Sequence, residues 1–177
     1  HVVSEELAPG VALIELEQPL AEWEAELAQR PPIFLRPMPP VHREVVLEGH
    51  DGDYERLALV AKGLAAGLDP ARSFAIQTRL LDEETAHLSR FQINETLATA
   101  VSAAGDYRLD VRSPVDVISV AVGNERAYLG VSPVVVKRSA WAGGAQRFAR
   151  EQGQISRAEF KLLEAQTVFD FTWPEHG

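Results

Sequence analysis

One stretch decides the fold of this chain: Val117-Ile118-Ser119-Val120-Ala121-Val122. It is almost continuously apolar and rich in β-branched residues, a pattern typical of a central strand covered on both faces. Gly123-Asn124 follows, and both residue types tolerate the positive φ that two-residue hairpin loops require. Arg126–Val131 is then predicted to return as the second strand. Because two strands are not stable alone, we expect helices to cover this hairpin.

The sequence before the hairpin supplies two helices and a strand. A helix is predicted to begin with Asp53 as its N-cap and to end near Gly67. Ser73–Leu81 is predicted to be a strand. Ser89-Arg90-Phe91-Gln92 has capping-box spacing and opens a second helix, which Gly105 closes. The first helix places four apolar residues on one face, namely Leu57, Val60, Leu64 and Leu68. This order predicts an α+β fold with helices on one side of a mixed sheet.

The front of the chain is predicted to fold separately. Val11–Leu16 alternates as a strand does, Pro19 is placed as the first residue of a helix, and Ile33–Leu35 is predicted to be a short strand. Pro37, Pro39 and Pro40 are too closely spaced for regular structure and indicate a linker. Arg43–Leu47 is a further candidate strand after that linker.

Composition limits the classes of protein to which this chain can belong. At 177 residues and 46% hydrophobic content it can build a real core, and no apolar run is long enough for a membrane span. No leader segment is recognisable, so a cytoplasmic location is expected. The chain has no cysteine and its five histidines show no paired ligand spacing, so no metal site is predicted. Since the sequence does not begin with Met, we expect a piece of a longer protein.

The net charge of −9 is distributed unevenly. Residues 1–60 carry twelve acids and four bases, a balance of −8, whereas residues 134–177 carry five acids and six bases, a balance of +1. Phosphate contacts need clustered Lys and Arg. Any polyanion is therefore expected to meet the later two-thirds of the chain.

Two segments carry a resemblance to a known family. Asp110-Val111-Arg112-Ser113-Pro114 leads into the hairpin, and Ala127-Tyr128-Leu129-Gly130-Val131 lies on its far strand. With the order of elements, these resemble a THUMP domain, an RNA-binding module of RNA-modifying enzymes. The resemblance implies a THUMP-like RNA-binding domain at residues 49–136. Residues 1–48 resemble part of the ferredoxin-like domain that usually precedes it, without its first strand and helix.

A second resemblance lies in the tail, at Ile155-Ser156-Arg157-Ala158-Glu159-Phe160-Lys161-Leu162. Ser156 and Glu159 have capping-box spacing, and Ile155 with Phe160 has the spacing of a hydrophobic staple, so most of this run has a structural explanation. Lys161 takes part in neither motif. The run is similar to the segment that opens the catalytic domain of FtsJ-type RNA 2′-O-ribose methyltransferases. That resemblance implies that Lys161 is the first member of a catalytic Lys-Asp-Lys-Glu set.

The resemblance also implies an organisation for the tail, with a linker at residues 137–153 and the first helix of a truncated methyltransferase domain at residues 154–177. S-adenosylmethionine would be the cofactor of the parent enzyme. Because the remaining catalytic residues and a Gly-x-Gly-x-x-Gly loop are missing, we expect this chain to bind no cofactor and to be inactive alone.

The leading hypothesis is the RNA-binding, substrate-presenting front of a methyltransferase acting on RNA, with ribosomal RNA favoured over transfer RNA. Six arginine and lysine residues are the candidate RNA contacts: Arg112, Lys137, Arg138, Arg147, Arg150 and Arg157. Arg112 is equally a candidate salt-bridge partner. Two alternatives stay open. A THUMP module could serve thiouridine synthesis or base methylation, and the acidic front favours a protein-interaction module. Oligomeric state is not predicted.

Overall fold

The computed structural model describes residues 2–29, 37–81 and 87–134. The front holds an antiparallel hairpin, β1 (Val2–Ala8) and β2 (Val11–Leu16), followed by α1 (Leu20–Gln29). A larger unit follows, with β3 (Arg43–Val46), α2 (Gly52–Leu64), β4 (Ser73–Leu80), α3 (Arg90–Ser102), β5 (Arg108–Leu109), β6 (Asp116–Val122) and β7 (Arg126–Pro133). A 3₁₀ turn at Ala65–Gly67 extends α2.

The larger unit, which we call the five-stranded unit, is built on one mixed sheet of order β3-β7-β6-β4-β5. β4 runs parallel to β5 and β6, whereas β7 runs antiparallel to β6 and to β3. The expected α+β class is therefore confirmed. β3, β4 and β6 all finish at one end, here called the carboxyl end, and β4, β5 and β6 begin at the opposite, amino end.

The predicted central strand is confirmed, but its turn differs from the expectation. β6 lies in the middle of the sheet and is buried at every position except Ala121. Val122 pairs with Ala127, and the Gly123 N–H donates to the Arg126 carbonyl at 2.9 Å, so three residues rather than two lie between the strands. Gly123 is not among the described glycines with positive φ. A three-residue hairpin loop does not require a positive φ at its first residue.

The helices cover one face of the sheet with the periodicity that the sequence predicts. Leu57, Leu64 and Leu68 are buried in the core and Val60 is partly buried against it. α3 contributes Ile93, Leu97 and Val101, which pack in the same core cluster as Ile118, Val120 and Val122 of β6. Burying a side chain of this size stabilises the fold by about 1.5–3 kcal/mol.

The face of the sheet opposite the helices also has buried residues, and the chain crosses it so closely at Gly130 that only a glycine fits there. Val117, Ser119 and Ser132 are buried there. The Pro40 carbonyl group occupies the space that a Cβ on Gly130 would need. His42 fixes the segment around Pro40 to β7. Its N–H donates to the Leu129 carbonyl at 2.8 Å, and its Nδ1 accepts from the Val131 N–H at 3.1 Å. A side chain at position 130 would displace the segment.

The front differs from the expectation at several points. β1 was not predicted, and Pro19 directly precedes α1 rather than beginning it. The predicted strand at Ile33–Leu35 lies outside the described residues. β3 hydrogen-bonds to β7, so a strand placed before residue 48 belongs to the five-stranded sheet. The division into domains at that residue stays a prediction.

Candidate nucleic-acid interface

Of the residues predicted to contact RNA, the structure describes Arg112. Lys137, Arg138, Arg147, Arg150 and Arg157 lie outside the described residues, as does the predicted catalytic Lys161. Arg112 is exposed, in the loop between β5 and β6. Arg112 and its neighbours are therefore the part of the predicted interface whose geometry the structure gives.

Arg112 belongs to a stretch at the edge of the sheet, residues 108–115, which we call the edge segment and in which every residue except Asp110 and Pro114 is exposed. It starts with β5, which pairs only with Ser73 and Phe74 at the start of β4. Three apolar side chains of the edge segment face solvent, with exposed fractions of 44% for Leu109, 73% for Val111 and 41% for Val115. A basic and apolar surface of this kind is suited to contact with a partner.

Two arginines of the edge segment are available for that contact. Arg108 and Arg112 are exposed, and neither forms an ion pair with any residue in the described ranges. The expected alternative, that Arg112 is a salt-bridge partner, is therefore not seen in this part of the chain. Sequence analysis missed Arg108. Its signal was the position four residues before Arg112, in a strand too short to be recognised by alternation.

A third arginine at this end has a structural role. Arg72 Nη2 lies 3.0 Å from the Asp116 Oδ1, and the Asp116 side chain is almost fully buried. Burial raises the pKa of Asp116, while the charge of Arg72 opposes that change. Because removal of Arg72 would leave the buried Asp116 carboxylate without its ionic partner, we assign Arg72 a structural role.

The chain leaves the sheet beside the edge segment. After β7, the Val134 N–H donates to the Val115 carbonyl at 2.9 Å. The Asp110 N–H donates to the Phe74 carbonyl at 2.8 Å, and the Val115 N–H donates to the Ser73 carbonyl at 3.0 Å. The two ends of the edge segment are thus fixed to the sheet, while its side chains stay exposed.

The carboxyl end of the sheet is arranged differently. Glu48 accepts from two basic side chains, lying 2.7 Å from Arg56 Nη2 and 2.8 Å from His50 Nε2. The hydrogen bond from Arg56, and after it the one from His50, lowers the pKa of Glu48. Arg126 is paired with Glu44 nearby.

Asp53 is not the predicted N-cap. Asp51 takes that position, without a side-chain hydrogen bond, and Asp53 lies in the first turn of α2 with an exposed fraction of 0%. Its carboxylate accepts from the N–H groups of Glu48 and Gly49, and it lies 3.1 Å from His87 Nε2. Burial acts to raise the pKa of Asp53, but these hydrogen bonds outweigh it and lower the pKa. Asp53 therefore joins the β3–α2 loop to the segment before α3.

The capping box predicted for α3 is also absent, because the Ser89 side chain makes no cap hydrogen bond. Tyr54 holds this helix start instead. Its hydroxyl accepts from the Ser89 N–H at 2.8 Å and donates to the His87 carbonyl at 3.2 Å.

Residues 2–29, 37–81 and 87–134 hold neither a cluster of metal ligands nor a membrane-spanning helix. No group of three or more metal-ligating side chains is close enough together to hold a metal ion. No helix there is both long and apolar enough to cross a membrane.

Comparison with known structures relates this geometry to other proteins. The chain is similar to TrmN from Thermus thermophilus, with a TM-score of 0.51 and 20% identity over 68% of this chain and 33% of that one. It is similar to PH1313 from Pyrococcus horikoshii, with a TM-score of 0.55 and 15% identity over 74% and 42%. A 4-thiouridine synthetase in complex with RNA and ATP matches with a TM-score of 0.51 and 15% identity over 74% and 32%.

The five-stranded unit has a THUMP-like fold. At these identities the similarity establishes the fold and not the activity. The chain spans about a third to two-fifths of the length of the solved proteins that it matches. No protein family and no curated protein sequence matches the chain. In the THUMP-like unit, β5 is an edge strand of the sheet, which leaves the edge segment open to a partner.

Proposed function

We propose that this chain is the RNA-binding, substrate-presenting part of an RNA-modifying enzyme, and that the edge segment contacts the RNA. The observation that carries this proposal is the pair Arg108 and Arg112, exposed and without an ion pair among the described residues. Guanidinium groups bind phosphate oxygens well because they are always charged and offer several donors. In a chain of net charge −9, such a local basic surface is what a phosphate backbone would meet.

Chain connectivity supports a larger basic surface here. Lys137 and Arg138 follow Val134 by three and four residues. Because consecutive Cα atoms are 3.8 Å apart, three residues of any chain span at most about 11 Å. Val134 is hydrogen-bonded to the edge segment at Val115. We therefore propose that RNA bound at Arg112 also contacts Lys137 and Arg138.

Similarity to known structures supports RNA as the partner. One matched protein was solved as a 4-thiouridine synthetase–RNA complex, and its matched part has the fold of this chain. An alternative partner, another protein, is favoured by the −8 balance of residues 1–60. The edge segment lies outside that acidic region, so the two proposals make different predictions for its arginines.

Within this function, we propose 2′-O-methylation of ribosomal RNA by the longer protein, with S-adenosylmethionine as methyl donor. The support is the similarity of the run ending in Lys161-Leu162 to FtsJ-type enzymes. A ribose 2′-hydroxyl is a poor nucleophile, and a positioned ammonium group can orient it and stabilise the developing alkoxide. A Lys of lowered pKa could instead accept the proton. The similarity to a 4-thiouridine synthetase favours thiouridine synthesis as a second candidate.

The test is a filter-binding titration of the full 177-residue chain with bulk ribosomal RNA and with bulk transfer RNA. We expect the double variant R108E/R112E to bind about tenfold or more weakly, since each lost phosphate contact removes counterion release. The matched control is R79E/R90E, which reverses two exposed arginines near the carboxyl end that have no ion pair in the described ranges. Equal affinities of the two double variants would overturn the proposed interface. Preference for transfer RNA would overturn the ribosomal assignment.

A further inference from the structure

A carboxylate lies in the middle of the edge segment, where binding of a polyanion would disfavour one. Asp110 lies two residues after Arg108 and two residues before Arg112. Its Oδ1 accepts hydrogen bonds from the N–H groups of Arg112 and Ser113, each at 2.9 Å. The Asp110 backbone is fixed as well, through its N–H to the Phe74 carbonyl. The residue therefore joins the loop to the sheet.

These two hydrogen bonds form an Asx-type turn. They satisfy consecutive backbone donors in a loop whose side chains at Val111 and Arg112 point into solvent. The loop is joined to the sheet by the backbone hydrogen bonds of Asp110 and Val115, and by a longer one from the Ser73 hydroxyl to the Ser113 carbonyl at 3.4 Å. Without the Asp110 side chain, the N–H groups of Arg112 and Ser113 would lose the acceptor that fixes them between those two backbone anchors.

We propose that Asp110 is a positioning residue for RNA binding, which holds Arg112 and Val111 in place through an oxygen acceptor whose negative charge is dispensable. The inference rests on the proposed function, because it assigns Asp110 a role in the same interface. Arg112 pays less conformational entropy on binding when its backbone is already fixed. The charge of Asp110 works against the same binding, since it reduces the positive potential of the two arginines on either side.

The electrostatics of the segment agree with this division. The hydrogen bonds from Ser113 and Arg112 lower the pKa of Asp110, and the charges of Arg108 and Arg112 lower it further. The carboxylate is therefore ionised when RNA binds at neutral pH. An amide at the same position would keep a carbonyl oxygen for both N–H donors and remove the charge.

The test compares two substitutions at each of two positions. D110N keeps the acceptor and removes the charge, whereas D110A removes both. Asp106 is the matched control, because it is exposed, lies two residues before Arg108, and forms no side-chain hydrogen bond in the described ranges. D106N and D106A both remove one charge near the edge segment and leave the turn intact. Affinities are measured with bulk ribosomal RNA on the full chain.

We expect D110N to bind about two- to fivefold more tightly than the unaltered chain, the usual size of one exposed charge effect. D110A should bind more weakly than the unaltered chain although it has the same charge as D110N. D106N and D106A should bind equally. Amide hydrogen exchange provides a reading independent of RNA, with Arg112 and Ser113 protected in D110N and unprotected in D110A.

Two results would overturn the inference while leaving the proposed function in place. One is equal RNA affinity of D110N and D110A in a chain whose affinity still falls in R108E/R112E. The other is equal protection of the Arg112 and Ser113 amides in D110N and D110A. If R108E/R112E binds as tightly as the unaltered chain, the proposed interface itself is wrong, and the role of Asp110 is overturned with it.

Discussion

At the carboxyl end of the five-stranded sheet Arg56 and Arg126 are each paired with a glutamate, whereas at the amino end Arg108 and Arg112 form no ion pair in the described ranges. The difference indicates two uses of charge. The pairs at the carboxyl end join α2 to the β3–α2 loop and β7 to β3. The two arginines at the amino end that form no ion pair are available to a ligand. Arg72 differs from them, because its pair with Asp116 has a structural role.

The largest effect is expected at Asp53, where the carboxyl end depends on a buried acceptor. D53A leaves the N–H groups of Glu48 and Gly49 and the His87 side chain without their partner. We expect the free energy of unfolding in urea to fall by about 3 kcal/mol. RNA affinity of the folded protein should be unchanged.

The control for Asp53 is its neighbour Asp51, which is exposed and makes no side-chain cap hydrogen bond. D51A should change the free energy of unfolding by no more than about 0.5 kcal/mol. If D51A and D53A were equally destabilised, the carboxyl end would not depend on the buried carboxylate.

The next largest effect is expected at Lys137 and Arg138, which follow Val134 in the sequence. K137E/R138E should weaken binding of bulk ribosomal RNA about tenfold and reduce the slope of log affinity against log salt by about two, one for each lost phosphate contact. R79E/R90E makes the same change in net charge and should leave the slope unaltered. An unchanged slope in K137E/R138E would limit the RNA contact to the edge segment.

The sequence could predict the parts of this comparison that depend on neighbours along the chain. The continuous apolar run of β6 predicted a central strand, and the spacing of Leu57 and Leu64 predicted the buried face of α2. Asp53 was assigned wrongly because α2 begins one residue before it, so its carboxylate accepts from the preceding loop at Glu48 and Gly49 and contacts His87, 34 residues away in the sequence. Arg108 was missed because its exposure follows from the pairing of β5 with β4, which local pattern does not reveal.

Lowering the pH should change the contributions of Asp53 and Asp116 to stability in opposite directions. The lowered pKa of Asp53 means that its contribution to stability is present above the ordinary Asp pKa of about 3.9 and is lost as pH falls through the folded value. The raised pKa of Asp116 means that the folded state binds that proton more readily, so its contribution is present below about pH 3.9 and lost as pH rises.

Urea unfolding of D53N and D116N, measured above and below about pH 3.9, separates the contributions of Asp53 and Asp116 to stability. The loss on acidification should be smaller than the loss in D53A, because a protonated Asp53 still carries an acceptor oxygen. D53N should flatten the acid-side decline of stability, and D116N should steepen it. If both variants changed the acid-side decline of stability in the same direction, the opposite pKa shifts of Asp53 and Asp116 would be wrong.

The smallest effect is expected at Phe91, which is 76% exposed in the first turn of α3, beside Arg90. α3 has 13 residues, so about 18 Å separates its start from its end, near which β5 begins. F91S should change the free energy of unfolding by no more than about 0.5 kcal/mol, since the ring is already in water. RNA affinity should also stay the same. An exposed aromatic ring beside an arginine is nevertheless a surface on which an unpaired base can stack. A fall in affinity in F91S would therefore mean that RNA contacts both ends of the sheet. The paired charges of the carboxyl end would then lie beside a second RNA contact, and that end would not be purely structural.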